Sequence, residues 1–293
     1  MPLRLESGRL GVLGLLGLRR DRGIHAVSGV WVAGAESLAP MIRQPRTRRR
    51  RGVRIELTER DGAVLQALNR FRLARTSHLC SYAFAGVRRD TAAVRLRRLF
   101  DAKYLGVLGT GPMAENLYKL GPHGRRFILS QGGTVWPVPR GGFQHHLAVV
   151  SAWIRLALNP DFELARCLAD WELRRELKLG EVAVIPDLFA LLRVGEAILP
   201  MAVEVDCGTE PEWILRSKAE RYAALWGRAP GLFGWERFVL AVSIEAPERR
   251  ALITSALKKV WVVPHAFLES EQSSYSALLQ LLPQVLPPLT GTP

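Results

Sequence analysis

A chain of 293 residues, 48% hydrophobic and 23% charged, has enough apolar material for one large core or two ordinary ones, which excludes disorder throughout. Its net charge of +14 suits a polyanionic partner, and no apolar run reaches the roughly 18 residues that a membrane span needs. Three cysteines, Cys80, Cys167 and Cys207, lie far apart and in no metal-ligand spacing, which argues against a disulfide scaffold or a zinc ribbon and for a reducing, cytoplasmic setting.

The charge is uneven. Residues 1–56 carry 12 basic and 4 acidic side chains and residues 57–130 carry 13 and 5, whereas residues 131–293 carry 16 and 18, so a basic front half joins a near-neutral back half. Residues 1–56 have neither helical nor strand period and read as a basic, disordered tail whose run Arg46 to Arg51 adds non-specific phosphate contacts. Arginines on both sides of the apolar run Gly11 to Leu18 disfavour a signal peptide, and Met41 is an alternative start.

Residues 57–130 read as a winged helix-turn-helix. Thr58 and Asp61 have the spacing of a capping box, and Val64, Leu65, Leu68 and Phe71 recur at helical period, predicting a helix over 58–70. A second helix is expected over 76–84, a turn at Gly86, and a third helix over 91–101 capped by Asp90. The third helix sets Ala92, Leu96 and Leu99 inward and Thr91, Val94, Arg97 and Arg98 outward, as a recognition helix entering the major groove would. Strand-like runs over 103–108 and 116–120, followed by Gly121-Pro122-His123-Gly124, read as the wing. The candidate contacts to double-stranded DNA are Arg88, Arg89, Thr91, Arg95, Arg97, Arg98 and Lys119.

Residues 143–268 read as an α/β domain: a helix over 146–158, strands over 171–178, 182–194 and 197–206, a helix over 211–226, a strand over 238–244, a helix over 248–259 and a last strand over 260–263. Gly195-Glu196 is a two-residue hairpin turn, and the register it sets places Asp187 directly opposite Glu204, with Cβ atoms about 5 Å apart. Asp206 points to the same face as Glu204. Carboxylates gathered in this way repel, and a hard divalent cation, Mg2+ or Mn2+, relieves the repulsion. Asp187, Glu204 and Asp206 are therefore the candidate metal ligands, and a sheet face of solvated acids is the plainer alternative. Lys218 interrupts an apolar helix stripe of Ile214, Tyr222 and Leu225, so it either snorkels to water or pairs with the acids, where its ammonium would support phosphoryl chemistry. His145-His146 reads as a structural pair at a helix start, with His146 the one able to approach the acids. Residues 269–293 are left as a C-terminal tail.

Pro186-Asp187 followed by Glu204-Val205-Asp206 resembles the PD-(D/E)XK nuclease core. The wider set resembles the replication-relaxation family of plasmids and mobile elements: Leu57 to Asp61, Leu96-Arg97-Arg98-Leu99, Lys103-Tyr104-Leu105, Tyr118 to Gly121, His145-His146-Leu147, Ile185-Pro186-Asp187, and Glu204 to Glu210 with Lys218 and Tyr222. The resemblance implies a DNA-binding winged helix fused to a nuclease-like domain with a mixed central sheet. It also implies a role in replication or DNA relaxation beside plasmid replication or mobilisation proteins. By position it makes Asp187 and Glu204 the metal-binding acids of an Mg2+-dependent nicking endonuclease, with Lys218 the third catalytic candidate. The nuclease motif calls for lysine where Asp206 stands, so Lys218 must supply the cation from the helix; otherwise the domain binds DNA as a regulator without cutting it.

Overall fold

The computed structural model describes residues 53–108, 115–176, 184–244, 247–258, 263–268, 278 and 280–285. Residues 1–52 of the expected tail over 1–56, the wing tip and the start of the expected strand at Val182 lie outside them.

The front half follows its local signals. Thr58 caps α1 (Glu59–Phe71): its hydroxyl accepts the Asp61 N–H at 3.3 Å, and the Asp61 carboxylate accepts the Thr58 N–H at 2.7 Å. Next come β1 (Ala74–Arg75), α2 (Thr76–Ala83), the Gly86 turn at φ 75°, and α3 (Arg89–Asp101). The third helix starts two residues before the expected position. Arg88 is its N-cap, and Asp90 sits inside the first turn, where a carboxylate suits the positive end of the helix dipole. Strands β2 (Leu105–Leu108) and β3 (Leu117–Leu120) pair antiparallel as the wing, with β1 on the outer side of β3. This is the order and pairing of a winged helix-turn-helix.

Gly121-Pro122-His123-Gly124 belongs to a helix that the sequence reading missed, α4 (Pro122–Ser130). Gly121 is its N-cap and Pro122 opens it, a position that needs no N–H. A side chain at residue 121 would place Cβ 2.4 Å from the Lys103 carbonyl oxygen, so only glycine admits this approach.

The back half runs α5 (Phe143–Ala157), β4 (Glu163–Ala169), α6 (Asp170–Glu176), β5 (Leu188–Val194), β6 (Ala197–Asp206), α7 (Glu212–Leu225), β7 (Val239–Ile244), a 3-10 turn (Pro247–Arg249), α8 (Arg250–Lys258) and β8 (His265–Leu268). The five strands form one mixed sheet in chain order: β4, β5 and β6 pair antiparallel, and β6, β7 and β8 parallel. Two expectations are corrected. The strand expected over 171–178 is α6, whose buried Trp171 and Leu173 mimic strand alternation, and the strand itself precedes it as β4. The last strand is β8 rather than 260–263, of which only Val263 lies among the described residues.

Alternation along the strands sorts the core. Leu188, Ala190, Met201, Val203 and Val205 pack with α5, while Phe189, Leu191, Ala202, Leu240 and Val242 pack with Ala219 and Tyr222 of α7 and Ile253 and Leu257 of α8. Glu204 and Asp206 share the parity of Ala202, so they lie under α7 and α8. The core on the α5 side continues without a break into the front half: Phe71 packs edge-on to Trp153, the His146 ring bonds the Phe71 carbonyl at 2.6 Å, and the His78 ring bonds Ser151 at 2.9 Å. Leu278 and Val285, the latter in α9 (Leu282–Val285), are buried in the same core, so the described part of the C-terminal segment is packed. Among the described residues no helix is long and apolar enough to cross a membrane.

Candidate active site

Two strand ends, the start of α5, the body of α7 and the 3-10 turn meet here. The β5–β6 hairpin turns at Gly195-Glu196, pairs Val194 with Ala197 and Leu188 with Val203, and so brings Asp187 and Glu204 to the same end in the expected register. Asp187 sits one residue before β5, and one of its oxygens accepts the Val205 N–H at 2.8 Å, which pins the carboxylate to β6. Its other oxygen accepts a bond from His145 Nε2 at 2.9 Å. That bond, with the Cys207 thiol 3.9 Å from His145 Nδ1, raises the imidazole to about 10, so the ring is a cation at neutral pH. The acids are thus approached by His145 of the pair. His146 is buried against Trp171 and the Phe71 carbonyl, and burial pushes it down to about 4, leaving it neutral.

Glu204 is buried at the same sheet end, beneath α7. Lys218 Nζ reaches one oxygen at 2.9 Å and the Tyr222 hydroxyl donates to the other. Burial pushes the Glu204 carboxyl up to about 7, with the Lys218 charge opposing and the Asp187 charge adding. Lys218 does not snorkel: its ammonium also holds Glu210 at 2.7 Å. Burial works against that ammonium, but the two carboxylates outweigh it and hold Lys218 above its ordinary range.

Asp206 shares the face but not the bonding. Arg249 clamps both its oxygens, at 2.9 and 3.2 Å, and also bonds the Glu210 carbonyl. Asp206 is therefore committed to a guanidinium. The repulsion expected among three acids is relieved by Lys218, Arg249 and His145, which come from α7, the 3-10 turn and α5. Arg249 and the His145 role were missed by the sequence reading. The signal for Arg249 lay in topology: a helix between β6 and β7 implies parallel pairing, which brings the residues just after β7 beside the Asp206 end of β6.

Among the described residues no three His, Cys, Asp or Glu side chains converge on a ready metal site. Mg2+ takes one or two protein carboxylates and completes its shell with water and phosphate oxygens. Asp187 and Glu204 fit that pattern. They are hard oxygen donors at one sheet end, and each oxygen keeps a lone pair beyond the bonds described. Asp206, clamped by Arg249, does not.

The candidate duplex-facing residues divide into two groups. Arg95 bonds Asp61 at 2.9 Å and the Glu56 carbonyl, so it ties α3 to α1. Arg89 pairs with Glu115, and Arg97 with Asp101 at 3.2 Å. Arg88, Thr91 and Arg98 are exposed on the outer side of α3. On the wing, the Lys119 stem lies across Gly106.

Residues 65–233 match the family model described as replication-relaxation. No curated protein matches the chain. A solved structure similar to it is that of restriction endonuclease FokI bound to DNA, at 10% identity and a TM-score of 0.33. That match covers 80% of this chain and 47% of the other, so the chain spans about half the length of the relative.

Proposed function

The chain belongs to the replication-relaxation family, and we propose that it binds double-stranded DNA of a plasmid or mobile element through α3 and nicks it at the Asp187–Glu204–Lys218 site. The observation that carries this reading is a buried carboxylate, Glu204, bonded to the Lys218 ammonium at 2.9 Å on the sheet end it shares with Asp187. Asp187 and Glu204 would hold Mg2+ or Mn2+, which when bound polarises a phosphate and lowers the pKa of a water. The chain's own residues do the rest. His145 and the Val205 N–H fix the Asp187 carboxylate, and the Tyr222 hydroxyl fixes Glu204. Lys218, carried by α7 in place of a strand lysine, would supply positive charge to the phosphoryl transition state.

A second reading has its own support. Lys218 is held between Glu204 and Glu210, and an ammonium so neutralised suits a regulator that binds DNA without cutting it. Supercoiled plasmid incubated with Mg2+ separates the two. Cleavage predicts open-circular product from the wild type and none above background from Asp187→Ala. Equal product from both overturns it, and duplex binding that survives Asp187→Ala without any cutting supports the regulator.

A further inference from the structure

We propose that Val94 reads the 5-methyl group of a thymine in the major groove, a reading that rests on α3 entering the duplex and names what it recognises there. Thr91, Val94 and Arg98 follow one another at helical spacing and form an exposed stripe on α3, with Val94 56% exposed at its centre. The neighbouring arginines are spent on the fold: Arg89 on Glu115, Arg95 on Asp61 and Arg97 on Asp101. Arg88 and Arg98 hold no ion pair among the described residues, so they leave positive charge at either end of the stripe. Residues 57–130 carry 13 basic and 5 acidic side chains, which matches the stripe to a polyanion.

A valine is a poor choice for an exposed helix position. Its branched Cβ loses rotamer freedom in a helix, and its apolar surface gains nothing from water. Flanked by the exposed Arg88 and Arg98, it fits the one apolar group that the major groove displays, the thymine methyl, which marks an A·T pair against G·C. Four residues separate Val94 from Arg98, a rise of about 6 Å, so Arg98 meets the duplex about two base pairs from that thymine.

The test uses the full chain. A preferred duplex is selected from a random pool, and each thymine is then replaced in turn by deoxyuridine, which lacks only the methyl. The wild type is expected to lose about fourfold in affinity at one position, the value of one buried methyl group. Val94→Ser, an exposed change whose folding is checked by circular dichroism, is expected to bind thymine and uracil equally there, while Arg98→Ala keeps the discrimination. No uracil effect at any position, or an effect undiminished in Val94→Ser, overturns the assignment. Failure to bind any duplex at low salt would instead overturn the duplex-binding reading on which it rests.

Discussion

Lys218 is where the site and the stability of the fold meet. Its side chain is 29% exposed and its partner Glu204 12%, so the pair is neither fully screened by water nor fully buried. Breaking a fully buried pair costs about 3–5 kcal/mol, and partial exposure brings the expected cost of Lys218→Met to roughly 1–3 kcal/mol in urea unfolding. The Glu204 carboxyl, freed of its cation, moves further up. His145 sets a pH dependence of definite sign. Its folded pKa of about 10 lies above the ordinary 6.5, so the stability it contributes is complete below about 6.5 and is lost as pH rises through about 10. The ring is nearly half exposed, which keeps the effect small. In a chelated buffer, His145→Gln is expected to flatten the stability profile across that window and, below pH 6, to lower stability by a small constant amount without changing the slope.

At the scale of elements, α3 carries two kinds of arginine that opposite experiments distinguish. Asp61 is fully buried and receives Arg95, so Asp61→Ala leaves a guanidinium without its partner and is expected to cost about 3 kcal/mol or more in unfolding. Arg98→Ala is expected to leave stability within about 0.5 kcal/mol and to weaken duplex binding, lowering the salt slope by about one. What the sequence disclosed about elements follows a physical line. The Thr58–Asp61 cap, the Gly195-Glu196 turn and the hairpin register were legible because local signals set them. Helix α6 was not: two buried residues at a spacing of two imitate a strand, and only packing against the sheet and against His146 distinguishes them. Nor was the Arg249 clamp, because it joins residues 43 positions apart through the parallel pairing of β6 and β7.

At the scale of the whole molecule, one apolar core runs from α1 through α5 to the sheet. Trp153 stands at its centre, 2% exposed, edge-on to Phe71 and capped by the Arg70 guanidinium at 4.2 Å. Trp153→Ala is expected to cost about 3–5 kcal/mol. In the wild type, tryptophan fluorescence and far-ultraviolet circular dichroism are expected to report a single coincident transition, because neither half completes its core alone. Two separated transitions would show that the halves fold independently. The same packing holds α5 and its His145 against the hairpin that carries Asp187, so the geometry of the acids depends on the whole assembly.

The acid pair can be tested without any substrate by titrating Mn2+ into the full chain and counting the free ion by its paramagnetic resonance signal. The wild type is expected to bind one ion, displaced by Mg2+, with affinity reduced by about tenfold or more in folded Asp187→Asn and Glu204→Gln and unchanged in folded Asp206→Asn. A wild type that takes up no ion, or variants of Asp187 and Glu204 that bind it as well as the wild type does, would contradict the assignment of these two carboxylates as the cation site.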